Sequence, residues 1–239
     1  MALHFVVDDA SGDVIELTGS EAHHAAAVRR VRVAEDVTVT DGRGTWLTGS
    51  VSAVEPKRVA IAVASRSVVD APARRILLAQ ALAKGDRDEL AVQAATELDV
   101  DGIIPWQATR SVSRWSGPKA TKGQARWQTI VREAAKQAHR AWIPPVEPVA
   151  STAELAALSS SAQIVVLDPW ADNRIADLDW SGEQDLILVV GPEGGIAPEE
   201  LSALGEAGAV RARLGRSVLR TSTAGPAALA LLNQAIGRW

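Results

Sequence analysis

From residue 75 onward the chain is built on short apolar runs that are continuous rather than alternating: RILLAQAL, GIIPW, QIVVL, LILVV and AVRARL. A strand with one face in water alternates apolar and polar side chains, whereas a strand covered on both faces does not. Between these runs lie segments of helical character, among them DELAVQAATELDV, a stretch around residues 124–142 and PAALALLNQAIGRW. Helices alternating with doubly buried strands predict a parallel sheet with helices on both faces, an α/β domain. No repeat of fixed period is present, and the low-complexity stretch STAELAALSSSA reads as a surface helix and loop.

The preceding residues have a different texture. HFVV, DVIEL, DVTVTDGRGTWLTGSVSAV and RVAIAVASRSV alternate in strand fashion, with Asp41-Gly42 as a hairpin signal. One helix, SEAHHAAAVRRV, interrupts them, with Ser20 as the expected N-cap. SRSVVDAPARR reads as a linker because Pro72 can continue neither element. These signals divide the chain into a β-rich domain of residues 1–71 and an α/β domain of residues 72–239.

Composition removes several chemistries. The chain has no cysteine, which excludes disulfides, thiolate metal sites and thiol nucleophiles and fits a reducing cytoplasm. No apolar run approaches the roughly 18 residues of a membrane span, and the acidic first twenty residues lack a signal-peptide layout. The expectation is a soluble cytoplasmic protein without a membrane partner. The histidines, His4, His23, His24 and His139, are not at metal-ligand spacing, and no Ser-His-Asp set or carboxylate pair stands out. No metal is expected. The net charge of −4 argues against nucleic acid as an average, but residues 108–142 hold eight Lys/Arg against the single Glu133, and residues 168–185 hold six acidic residues against Arg174. Patches, not the total, decide what such a surface attracts.

Two stretches carry candidate chemistry. GPEGG at 191–195 follows LILVV and precedes IAPEELSAL, where Pro198 suits a first helical turn. Glycines at the carboxyl end of a parallel strand let backbone groups approach a ligand, though a plain left-handed turn is also open. Neither the dinucleotide nor the P-loop pattern is matched. LGRSVLRTSTAG at 214–225 then lies between a short strand and a helix apolar nearly all round. Thr221 and Thr223 could simply cap that helix, but capping leaves Arg216 and Arg220 unexplained. The ends of QIVVLDP, LILVVGPEGG and VRARLGRSVLRT are expected to converge on one crevice, the usual ligand position in an open α/β sheet.

GPEGG followed some twenty residues later by LGxxxLRTxTA resembles the ribosomal RNA small subunit methyltransferase E (RsmE) family of the SPOUT superfamily. KGDRDELAVQAATELDVDGIIPWQATRS, EAAKQAHR at 133–140 and HHAAAVRRVRVAEDVTVTDGRG occur in that family's order, so the resemblance spans nearly the whole chain. It implies a PUA-like β-barrel domain followed by a trefoil-knotted methyltransferase domain, a homodimer, and S-adenosylmethionine-dependent methylation of uridine N3 in 16S rRNA of the small ribosomal subunit. No periodicity in the sequence indicates a knot; physical reading alone gives an unthreaded sheet. Carried over by position, the cofactor residues are Leu167, Gly191, Glu193, Leu214, Leu219, Arg220, Thr223 and Ala224. Ser222 stands where many relatives carry an acidic residue, and the chain has eight tryptophans and no tyrosine.

Deprotonating uridine N3 places negative charge on the pyrimidine oxygens, so a nearby cation is valuable. Arg220 is the catalytic candidate, with a structural ion pair as its alternative. Glu193 could act as base or bind cofactor hydroxyls. Arg110, Arg114, Lys119, Lys122 and Arg126, with Trp115 among them, suit single-stranded RNA, and Arg140 lies on the polar stripe Glu133, Lys136, Gln137 and Arg140 of the following helix. Arg29, Arg30 and Arg32 could extend the footprint. Two further readings stand beside methylation of rRNA: a non-catalytic RNA-binding assembly factor, and a SPOUT methyltransferase acting on another RNA base. The apolar helix 226–236 motivates the homodimer independently, because a monomer is expected to expose it.

Overall fold

The computed structural model describes residues 3–239 and divides into two compact units, Met1–Ala71 with Ala135–Ile143, and Pro72–Ala134 with Pro144–Trp239. In the first unit β1 (Leu3–Val6), β2 (Val14–Leu17), β3 (Asp36–Thr40), β4 (Thr45–Glu55) and β5 (Arg58–Val68) form a sheet ordered β1-β3-β4-β5-β2. β1 and β3 are parallel and the other pairs antiparallel. The β4–β5 ladder shifts register at Thr48/Gly49 and again at Val51/Ala53. Such bulges bend a strand and raise its twist, which curls this sheet around Phe5, Ile15, Leu17, Val39, Leu47 and Ile61. Gly49 sits at the first bulge, where a Cβ would stand 2.4 Å from the Ala62 carbonyl oxygen.

The hairpin expected at Asp41-Gly42 joins β3 to β4. Asp41 Oδ1 accepts the amides of Arg43 and Thr45 at 2.7 and 3.1 Å, and Gly42 takes φ +71°. The helix after β2 departs from expectation in two ways. α1 (Gly19–His23) begins one residue before Ser20, and His24–Arg29 continue it as a π-helical turn. Arg30 then turns left-handed at φ 54°, with the Val31 amide reaching back to the Ala25 carbonyl at 3.1 Å. Ala22 of α1 and Ala25 of the widened turn are buried and join the core of this unit.

Residues 135–143 close the first unit. The Ala141 carbonyl accepts the Thr40 hydroxyl and the Gly44 amide, both at 3.0 Å, and the Ile143 amide donates to the Gly42 carbonyl at 3.0 Å. Lys136, placed on a solvated stripe by its helical spacing, is instead buried and paired with Glu21 at 3.0 Å. The carboxylate on α1 supplies the charge that lets an ammonium be buried. His4 is sandwiched between the rings of Trp46 and His139, with centroids 4.7 and 5.0 Å away.

The second unit holds β6 (Ile76–Ala81), α2 (Arg87–Glu97), β7 (Gly102–Trp106), α3 (Pro118–Gln137, its last residues passing into the first unit), α4 (Thr152–Ala157), β8 (Ala162–Leu167), β9 (Asp185–Val190), α5 (Pro198–Glu206), β10 (Val210–Ala212) and α6 (Thr221–Ala235). The sheet runs β10-β8-β9-β6-β7 and is parallel throughout. Every residue of β6 and β7 is buried, as continuous apolar runs require. Leu77, Ala79 and Ala81 of β6 share a core with Leu155 of α4 and Leu204 of α5. On the other face Leu78 lies against Gly225 of α6, where an added Cβ would meet Leu78 Cδ1 at 3.0 Å.

α3 starts at Pro118 rather than near residue 124 and ends at Gln137, where His139 takes φ 55°. Gly123 is accommodated within α3 because the Trp115 ring packs directly over it and stacks edge-on against Trp127 at 5.1 Å. α6 is likewise less exposed than its composition implies, since Gly225, Pro226, Ala228, Leu229, Leu232 and Asn233 are all buried. Leu231 remains exposed on the other side.

Candidate functional site

The loops that leave β8, β9 and β10 at their carboxyl ends, together with the first turn of α6, wall one cavity of about 740 Å³. That size falls within the roughly 300–1,000 Å³ of small-molecule sites. Leu167, Gly191, Glu193, Leu214, Leu219, Arg220 and Ala224 all line it, together with Val190, Ile196, Leu201 and Ala212. Thr223 does not; it is exposed on the first turn of α6, its amide donating to the Arg220 carbonyl at 2.9 Å. The lining mixes apolar side chains with charged and polar ones, Arg87, Asp168, Arg213 and Ser217 among them, and with the backbone of GPEGG and of the loop after β10. It suits a flat ring with a polar rim better than a compact ion.

Local sequence fixes these walls. At Gly191 a Cβ would stand 2.6 Å from Ile196 Cγ1, so only glycine allows the chain to fold back on itself there. Gly195, at φ +73°, closes the turn with its amide on the Pro192 carbonyl at 2.9 Å. Thr221 ties two walls together: its hydroxyl donates to the Gly191 carbonyl at 2.8 Å and accepts from Gln80 Nε2 at 2.9 Å. It serves as a cross-brace rather than as the helix cap its position suggested. Gln80, fully buried within an otherwise apolar strand, escapes a reading based on periodicity. A lone glutamine inside RILLAQAL was the available signal.

Glu193 points away from a role as proton acceptor. Its Oε1 accepts the Lys84 amide at 3.0 Å and Arg87 Nη1 at 2.9 Å. Burial works to raise its pKa, but hydrogen bonds from its own backbone, the Lys84 amide and the Arg87 side chain, with the arginine charge, hold the carboxyl below the usual range. The carboxylate thereby latches the β6–α2 loop to GPEGG. Asp168, which sequence reasoning passed over, is buried on the cavity lining and receives both Nε, at 2.9 Å, and Nη2 of Arg211.

Arg220 flanks α6 in an extended conformation, φ −68° and ψ 154°, and its carbonyl accepts the amides of Thr223 and Ala224. Its side chain is exposed and has no hydrogen-bond or ion-pair partner among the described residues. The structural ion pair that offered the alternative explanation for this arginine is therefore not found among them.

The cations expected to meet RNA are dispersed. Arg110 lines the cavity and donates to the Gly194 carbonyl at 3.0 Å. Arg114 is exposed and donates to the Thr109 carbonyl at 3.2 Å, while Lys119 and Lys122 are exposed near the start of α3. Arg126 is engaged by both oxygens of Glu89, one at 2.6 Å, which offsets its charge locally. In the first unit Arg140 is partly exposed, and Arg29, Arg30 and Arg32 are exposed at the end of the π-helical turn and just beyond.

Comparison with known proteins adds independent findings. A family model described as an RNA methyltransferase domain matches residues 70–233, and one described as an RNA methyltransferase PUA domain matches residues 17–63. A Mycobacterium bovis protein named ribosomal RNA small subunit methyltransferase E is 42% identical, across 100% of this chain and 94% of its own length. The crystal structure of the Neisseria gonorrhoeae protein of the same name, bound to S-adenosyl methionine, superposes with TM-score 0.88 at 28% identity, covering 98% of each chain. A Legionella pneumophila methyltransferase in complex with the same cofactor superposes with TM-score 0.87 at 27% identity, again over 98% of both chains.

Proposed function

Since the chain belongs to the ribosomal RNA small subunit methyltransferase E family, we propose that it methylates N3 of a uridine in the 16S rRNA of the small ribosomal subunit. The methyl donor in this reading is S-adenosylmethionine, which supplies an electrophilic methyl group on a sulfonium. The observation that carries the reading is the cavity walled by three strand-end loops, with an arginine on its lining whose side chain has no partner among the described residues.

The lining fits that donor. Leu167, Leu214, Leu219 and Ala224 offer apolar contact to a purine, and Gly191 lets backbone groups come close to ribose hydroxyls. Glu193 acts on the loop through Lys84 and Arg87, and Thr223 through the first turn of α6. Methyl transfer to N3 demands alignment of the attacking nitrogen more than acid catalysis, so the rigid cross-brace through Thr221 supports the reaction by holding two walls in register. Loss of the N3 proton spreads negative charge onto the flanking oxygens of the base. Arg220, with no competing carboxylate among the described residues, is placed by this reading beside that charge. Glu193, held through Oε1 by two donors that keep its carboxyl below the usual range, holds the loop instead of taking the proton.

The same reading assigns residues 1–71 to RNA binding and residues 72–239 to the methyltransferase domain, with the C-terminal loops threaded as a trefoil knot. Arg114, Lys119 and Lys122, and separately Arg29, Arg30 and Arg32, are the exposed cations that suit phosphate contacts. We place the protein in the cytoplasm, as a homodimer. Nucleoside mass spectrometry of 16S rRNA from a strain lacking the gene tests the substrate: loss of 3-methyluridine is expected. An unchanged profile together with S-adenosylmethionine binding would move the reaction to another base, and absence of cofactor binding would leave an assembly factor.

A further inference from the structure

One side chain on the cavity lining has no part in the chemistry just described. Trp170 is 80% exposed, more than any other large apolar side chain among the described residues, yet it lines the same cavity as Leu214, Val218 and Arg220. Trp106 and Trp127, by contrast, are fully buried. Burial is the ordinary fate of an indole, and an exposed one at the mouth of a cavity calls for a ligand with a flat face.

The exposure does not come from a slack loop. The Trp170 amide donates to Asp168 Oδ1 at 3.0 Å, and the other oxygen of that carboxylate is held by Arg211. The Ala171 amide donates to the Asp168 carbonyl at 3.1 Å, while the Arg213 guanidinium donates to the carbonyls of Ala171 and Asp172. Backbone bonds from Arg213 to the Asn173 carbonyl and from Ile175 to the Arg213 carbonyl, each 2.9 Å, fasten the rest of the segment to the chain following β10. A loop fixed at so many points holds the backbone of Trp170 in a set place, and the ion pair with Arg211 offsets the charge of Asp168.

What surrounds the indole selects the ligand. Arg220 lies on the same lining, and Arg216 lies between the lining residues Gly215 and Ser217. Both side chains are exposed and without hydrogen-bond or ion-pair partners among the described residues. Asp172, two residues on, is exposed and acidic, but the lining that Trp170 shares carries Arg220, whose side chain has no partner among the described residues. An open aromatic face on a lining with such a cation matches a nucleotide, whose base stacks and whose phosphate is anionic.

We propose that Trp170 is a stacking platform for a base of the single-stranded RNA segment carrying the target uridine, with Arg216 taking an adjacent phosphate. This rests on the reading of the chain as an RNA methyltransferase and names a contact that selects RNA rather than cofactor. The test uses the full-length protein, Trp170→Ala and Trp170→Phe, with small ribosomal subunits from cells lacking the chain as methyl acceptor. Trp170→Ala is expected to keep wild-type S-adenosylmethionine affinity by calorimetry and an unchanged thermal melt. Its KM for the subunits should rise about tenfold, the scale of one base–aromatic stack. Its kcat should stay within about threefold, and Trp170→Phe should recover most of the loss.

An unchanged KM in Trp170→Ala overturns the proposal. So does a fall in cofactor affinity with RNA affinity intact, which puts the indole on the donor, or a change in sedimentation, which puts it in a subunit contact. Wild-type protein that transfers no methyl group to the subunits refutes the parent reading separately. In that case anisotropy with a single-stranded RNA oligonucleotide still compares wild type with Trp170→Ala, and equal affinities reject the stack.

Discussion

Arg220 carries the sharpest consequence of any one residue. Its side chain is exposed at the cavity and bonds to none of the described residues, so Arg220→Ala should leave the melting temperature within a degree or so. Methyl transfer measured with labelled donor should fall by about 10²–10³ in kcat, the scale for losing one donor to developing negative charge. A large drop in stability with little change in kcat would return this arginine to a structural role. His4 makes a different claim. Burial first, then the neighbouring His139 and Lys136, lower its imidazole to about 4, against about 6.5 in an unfolded chain. The folded state therefore binds this proton less readily than the unfolded state. Stability is at its full value above about pH 6.5 and is lost as the pH falls from there toward 4. A series of thermal melts should show that decline, and His4→Phe, which keeps a ring between Trp46 and His139, should flatten it. Of these residues, Arg220 was legible because LRTSTA is a dense and unusual string. His4 and Gln80 were not, since their meaning lies in partners 34 to 141 residues away that no local spacing encodes.

Among the elements, the five apolar runs each became a strand of the parallel sheet at the expected places, because double burial leaves a pattern that survives any rearrangement of strand order. The start of α3 did not follow from the sequence. Its first six residues precede the expected stretch, where Pro118 is well placed in a first helical turn and Gly123 is required by the ring above it. Replacing a mid-helix glycine by alanine ordinarily stabilises by about 1 kcal/mol. Gly123→Ala should do the reverse, because the new methyl would stand 2.4 Å from Trp115 Cε2 and displace the ring. A net loss of about 1–3 kcal/mol in urea unfolding is expected from such overpacking, and a more stable variant would show that Trp115 yields freely. The π-helical turn at His24–Arg29 also left no signature in a run of alanines and histidines, since i→i+5 bonding depends on how the following residues turn rather than on composition.

For the whole molecule, the net charge of −4 concealed both the basic stretch at 108–142 and the acidic one at 168–185, so the sum said less than the distribution. The composition of α6 overstated its exposure because half of it is spent inside the second unit, leaving Leu231 with the half-buried Ala227 and Ala230 as the part that a second copy would cover. Sedimentation at micromolar concentration should give twice the 25.2 kDa of one chain. Leu231→Glu should shift the population toward monomer, and a wild-type protein that sediments only as monomer would remove the dimer. The membership of residues 135–143 in the first unit bears on how the protein is made. When a translating ribosome has finished residue 71, that unit still lacks the backbone partners of Thr40, Gly42 and Gly44. At about 5–20 residues per second, the missing segment arrives several seconds later. Newborn chains therefore carry the five-stranded sheet with its β3–β4 turn uncovered through the synthesis of β6, α2 and β7.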